Sequence, residues 1–152
     1  MKTKSCLVII PSFGHFDFVA RTAHSISDHA LSSSFVTEFI VIDDGSSEWD
    51  GVDWTLFPDP ECRKLHFAKR AGLTRSWNSG LRIAKENGFE YAVCANSDLL
   101  FSSRWLEPMI RAIDSGFSLV GPLTNAPGNC PWQNVRPFLS GLNVEFKIDD
   151  SA

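Results

Sequence analysis

Four apolar runs in this 152-residue chain end abruptly in polar residues that are able to do chemistry. CLVII (6–10) leads into Pro11-Ser12-Phe13, FIVI (39–42) into Asp43-Asp44-Gly45-Ser46, KLHF (64–67) into Lys69-Arg70-Ala71-Gly72, and YAVCA (91–95) into Asn96-Ser97-Asp98. Adjacent carboxylates such as Asp43 and Asp44 can accept hydrogen bonds from a base N–H or from ribose hydroxyls. A lone carboxylate such as Asp98 can give one oxygen to Mg²⁺ or Mn²⁺. A carboxylate at the edge of an apolar core is costly to desolvate unless something pairs with it, and a divalent cation carrying a phosphate is one such partner. Singly, each stretch has a plainer reading, since Asp-Asp-Gly-Ser is also a good turn. Four polar endings in one chain point to a shared site.

The elements that must position them alternate. CLVII and FIVI are continuous β-branched runs, the pattern of parallel strands covered on both faces, and KLHF, YAVCA and FSLVG (117–121) are weaker strands of the same kind. Between them, Val19, Ala23, Ile26 and Ala30 recur at helical steps, as do Leu73, Trp77, Leu81 and Ala84. A third helix carries Leu106, Met109, Ile110 and Ile113, with Pro108 tolerable because it falls in the first turn. Gly88 and Gly116 follow the second and third helices, where a left-handed residue is wanted. The expected fold is α/β, an open, mostly parallel twisted sheet with helices on both faces, in a single domain over 1–152. In such a sheet, ligands bind at the carboxyl ends of the strands, where the polar residues collect. After about Pro122 the pattern dissolves into PLTNAPGNCPWQNVRPFLSG, read as a Pro-Gly loop that could close over the site, with a late strand possible at 143–148.

Composition removes several classes. A net charge of -4, with Lys and Arg scattered, gives no nucleic-acid footprint and no membrane-seeking basic face. No segment has the length of a transmembrane helix, and the apolar stretch before Pro11 is too short for a signal peptide, so a cytoplasmic location is expected. Cys6, Cys62, Cys94 and Cys130 form no CxxC pair; Cys6 and Cys94 read as small core residues of a reduced protein. PSFGHF after the first strand contains no GxGxxG, and no GxxxxGK[ST] occurs. A bound nucleotide would therefore be held by carboxylates and a metal rather than by a glycine loop.

The stretches VIIPSF, FIVIDDGSSE, KRAGLTRSWNSGLRIAKENGFEYAVCANSDLLF and LVGPLTN resemble, in order and spacing, successive motifs of the family 2 glycosyltransferases, GT-A fold enzymes that use nucleotide-diphosphate sugars. The resemblance spans about 5–128. It implies that Pro11 and Phe13 flank the base, that Asp43 and Asp44 hold base and ribose, and that Arg70 and Asn78 face the sugar nucleotide. Asn96-Ser97-Asp98 stands where the family has Asp-x-Asp, so Asp98 is the implied metal ligand, while Asn96 replaces the first aspartate and keeps an acceptor for a ribose hydroxyl. The implied reaction is attack of an acceptor hydroxyl, on a saccharide, lipid or protein, at the anomeric carbon of the donor, mostly with inversion. The family's acceptor site and general base come from a C-terminal part near which this chain stops. The donor half is therefore recognisable, the catalytic base is not assigned, and Asp149 and Asp150 are not candidates.

Two rival readings follow. One is a truncated or non-catalytic nucleotide-sugar-binding module. The other is a phosphoacceptor receiver domain using Thr124 and Lys147, which is disfavoured because its acidic pair should follow the first strand rather than the second. An incomplete sheet edge would permit self-association. Among the remaining residues, Trp77 has core spacing, Trp105 seals the rim of the sheet, and the histidines, lacking clustered partners, are ordinary. Asn78 and Gly80, poor helix-interior residues, signal close approach or a ligand contact. Arg70, at a strand end, is preferred over Arg75 for a phosphate or sugar role.

Overall fold

The computed structural model describes residues 4–29, 35–122, 133, 134 and 137. The expected strand at 143–148, the loop over 123–132, Cys130, Thr124, Lys147 and Asp149-Asp150 lie outside the described residues. The chain divides into two compact units, Met1–Ile110 and Arg111–Ala152.

In the first unit β1 (Lys4–Ser12), α1 (Phe16–His29), β2 (Phe35–Asp43), β3 (Arg63–His66), α2 (Leu73–Glu86) and β4 (Tyr91–Cys94) follow in turn, and α3 (Leu106–Asp114) begins. The strands form one sheet in the order β3-β2-β1-β4, every pair parallel. The acidic pair thus follows the second strand of an α/β sheet, as the sequence requires and as a receiver domain does not. β1 is central, and its last seven residues are buried because helices cover both faces. Cys6, Val8 and Ile10 pack with Val19, Ala23 and Ile26 of α1 and with Leu106 and Ile110, whereas Leu7 and Ile9 pack on the other face with Ala84 of α2. The alternation of Cβ direction along a strand produces this division without any alternation of polarity.

Gly80 is what lets α2 lie close on the sheet. A Cβ there would stand 2.4 Å from Ile9 Cγ2, so the glycine serves a helix–strand approach. Trp77 joins the same cluster with Leu65, Ile83 and Phe89, in the packing role its spacing suggested. Both expected left-handed glycines are present, at φ 74° for Gly88 and 113° for Gly116. After α2, Gly88 N–H bonds to Lys85 C=O and Phe89 N–H to Ala84 C=O; after α3, Gly116 bonds to Ile113 and Phe117 to Ala112. Each is a Schellman closure that satisfies carbonyls left over at a helix end.

Three expectations need correction. FSLVG at 117–121 is no strand: Phe117 folds back on the α3 terminus through the bond just named, and Phe117 and Leu119 stay in water, Leu119 at 90% exposure. Cys94 is exposed: among the described strands β4 lies at an end of the sheet, paired with β1 alone. Trp105 precedes α3 and is buried in the core, its ring 4.5 Å from Phe101. No helix among the described residues is long and apolar enough to cross a membrane.

Two outcomes follow from this packing. Gly80→Ala gains about 1 kcal/mol of helix propensity but forces a methyl into Ile9, which costs about 1–3 kcal/mol; urea unfolding should show a net loss, and a variant more stable than wild type would refute the close approach. Burial pushes the Cys6 thiol up to about 12 from 9.0. Its contribution to stability is therefore whole below pH 9 and erodes as the pH rises further, because only the unfolded chain then releases the proton. A thiol reagent at pH 8 should leave Cys6 unlabelled until the chain is unfolded, as read by peptide mass mapping.

Candidate functional site at the strand ends

Parallel register brings Ser12, Asp43 and His66 side by side at the carboxyl ends of β1, β2 and β3. The ladder continues one step past the strands, with Asp44 N–H to Ser12 C=O at 2.8 Å and Phe67 N–H to Asp43 C=O at 3.0 Å. Asp43 has no exposed surface at all. Its Oδ2 accepts the N–H groups of Ser46 at 2.8 Å and Gly45 at 3.1 Å and lies 2.8 Å from His66 Nδ1, while Gly14 N–H approaches Oδ1 at 3.5 Å. These donors replace the water that burial removed, which is the condition for keeping a carboxylate inside. Asp44 is buried as well and bridges to the start of α2, Oδ1 accepting from Ala71 N–H at 2.8 Å and Oδ2 from Gly72 N–H at 2.7 Å.

The last strand end is set from α1. Thr22 Oγ1 lies 2.9 Å from the carbonyl oxygens of both Ser97 and Leu99 and accepts the Leu99 N–H at 3.1 Å; Ser25 Oγ accepts the Phe101 N–H at 3.2 Å. The segment carrying Asp98 therefore has no regular secondary structure yet is fixed by two helix hydroxyls. It borders a cavity of about 490 Å³ lined by Pro11, His15, Phe18, Leu73, Asn96, Ser97 and Asp98. Asn96 and Asp98 are exposed there, and no hydrogen bond or ion pair among the described residues engages their side chains.

Of the residues expected from the sequence, Pro11, Asn96, Ser97 and Asp98 share this cavity. Phe13 and Arg70 meet each other instead, the guanidinium 4.2 Å from the ring centre, with Phe13 46% exposed. Arg75 lies over Phe67 in the same way, at 4.1 Å. Asp43 and Asp44 sit at the end of β2 with the backbone contacts described, and Asn78 is exposed on α2 and does not line the cavity. No group of three or more His, Cys, Asp or Glu side chains arranged for a metal occurs among the described residues. Asp98 offers one carboxylate, flanked by the Asn96 amide and the Ser97 hydroxyl. An all-oxygen set of this kind is what a hard divalent cation takes when a phosphate completes its shell.

The sequence did not disclose His15, Phe18 and Leu73 as cavity residues, nor His66 as the partner of Asp43. His66 is also stacked on Trp49, ring centres 5.1 Å apart at 21°. Only the β2–β3 register, which pairs Asp43 with His66, could have singled it out.

A family model described as glycosyl transferase family 2 matches residues 7–148. No curated protein matches the chain well enough to stand beside it as a relative.

The two classes of aspartate should separate on mutation. Asp43→Ala strands buried donors on Gly45, Ser46 and His66 and should lower stability by about 2–4 kcal/mol in urea titration. Asp98→Ala, at an exposed and unengaged site, should change it by less than about 0.5 kcal/mol. Equal losses would contradict the division.

Proposed function

We propose that this chain, which belongs to glycosyl transferase family 2, binds a nucleotide-diphosphate sugar along the strand-end rim and passes the sugar to an acceptor hydroxyl. The observation that supports this most directly is a cavity lined by Pro11, Asn96, Ser97 and Asp98, on the same strand-end rim that carries the buried Asp43-Asp44 pair. Ligand chemistry needs acceptors that the fold has not already used. Asp98 and Asn96 qualify. Asp44 also qualifies in part, since each of its oxygens takes one N–H and keeps a lone pair for a ribose hydroxyl or a base N–H.

The roles divide accordingly. The Phe13 ring, half in water with Arg70 over one face, flanks the base. Arg70 directs its charge toward the nucleotide. Asn96 accepts from the ribose, and Asp98 would hold the divalent cation. Mg²⁺ or Mn²⁺ bound there would supply positive charge to the departing diphosphate. Asp43, fully enclosed, contributes by fixing the β2 turn and His66 rather than by touching the donor. The acceptor oxygen attacks the anomeric carbon as the bond to the diphosphate breaks, with inversion, and its proton goes to a base that the described residues do not identify.

Calorimetric titration with UDP, GDP and dTDP sugars, with and without Mn²⁺, tests this on wild type and Asp98→Ala. One donor should bind, and its affinity should drop about tenfold or more on loss of the metal or of the carboxylate. Binding indifferent to both changes would remove the metal-diphosphate reading; no binding at all would remove the donor site.

A further inference from the structure

The turn from β1 into α1 contains two successive left-handed residues, Gly14 at φ 71° and His15 at φ 53°. Glycine takes that conformation freely, but histidine does so only under strain that neighbouring contacts must maintain. Ser12 Oγ donates to Gly14 C=O at 2.7 Å, and Glu48 Oε2 accepts the His15 N–H at 3.0 Å. A Cβ on Gly14 would lie 2.6 Å from Glu48 Oε1, so glycine at this position is what admits the Glu48 carboxylate. The His15 carbonyl meanwhile accepts from Phe18 and Val19 and starts α1. A glycine or an asparagine would make the same backbone turn with less strain.

What the histidine adds is its ring. His15 is exposed, lines the cavity with Asn96, Ser97 and Asp98, and sets its imidazole edge-on to Phe18, ring centres 6.3 Å apart. Among the described residues lining the cavity, it is the one whose side chain can carry positive charge. The other polar groups there are a carboxylate, an amide and a hydroxyl, so an anionic ligand finds one carboxylate against it and one imidazole N–H for it. A diphosphate distributes its charge over several non-bridging oxygens, so a donor beside Asp98 would add to the charge that a cation held there would supply.

We propose that His15 is a binding residue for the donor's phosphates, its imidazole N–H donating to a non-bridging oxygen, and that Glu48 is the positioning residue that holds the strained turn. This rests on the cavity being the diphosphate site. The test measures affinity for UDP, GDP and dTDP in Mn²⁺, together with melting temperature, for wild type, His15→Gly, His15→Arg and Glu48→Ala. With whichever diphosphate wild type binds, His15→Gly should bind about tenfold or more weakly while melting no lower, because glycine relaxes the left-handed turn. His15→Arg keeps an N–H donor at this position and should stay within about threefold of wild type. Glu48→Ala should lose affinity in the same direction as His15→Gly. Wild-type affinity retained by His15→Gly, or a loss in His15→Arg as large as in His15→Gly, overturns the inference alone. Failure of wild type to bind any of the three diphosphates overturns the donor-site reading and this one with it.

Discussion

A carboxylate with no access to water must find its donors inside the protein, and the donors around Asp43 come from three separate pieces of chain. The turn after β2 supplies two N–H groups, the end of β3 supplies His66, and the turn after β1 approaches through Gly14. Asp44, next in sequence, faces the other way and takes two N–H groups at the start of α2. Two neighbouring aspartates thereby connect three strand ends and a helix start. Moving any one of these would strand a buried charge, which costs far more than the loss of an ordinary surface contact.

The apolar core beneath makes that arrangement precise enough to be useful. β1, enclosed by α1 on one face and α2 on the other, leaves little freedom for its final residues, and the ends of β2 and β4 follow from its register. On the β2 side, an aromatic group of Phe16, Trp49, Trp54 and Phe57 supports the segment that carries Glu48 and places the Trp49 ring against His66. On the β4 side Thr22 and Ser25 anchor the Ser97–Phe101 backbone directly, and Phe101 packs against the Trp105 ring.

What the sequence disclosed and what it concealed separate along physical lines. The runs CLVII, FIVI, KLHF and YAVCA, the three helices and the glycines at 88 and 116 depend on local geometry and appear in the structure at the expected places, although Leu73 and Leu81, read as part of the apolar face of α2, are exposed. The rim position of the polar stretches followed from the parallel topology alone. FSLVG misled because apolar composition does not say whether a partner strand is within reach, and Cys94 misled because a short run does not say which strand lies at an edge. His66, Thr22 and Ser25 act through contacts 23 to 77 residues distant in sequence, which no periodicity encodes. Gly80 stands out in the sequence as a poor helix-interior residue, but its reason, the Ile9 side chain under α2, belongs to tertiary packing.

The polar residues of the rim therefore fall into two kinds, according to how much of their bonding capacity the fold itself has used. Asp43 and Thr22 are close to saturated by backbone and histidine partners and lie almost wholly out of water. Asp98, Asn96 and the His15 ring border the cavity and keep acceptors and donors that no described residue engages. A group of the first kind cannot bind a ligand without surrendering a bond the fold needs, whereas a group of the second kind exchanges only water. In the sequence Asp43 and Asp98 look alike, the same amino acid shortly past an apolar run. The difference lies in the depth at which each strand ends: β2 carries Asp43 into the ladder between β1 and β3, while β4 stops at Cys94 and releases Asp98 beyond the edge of the sheet.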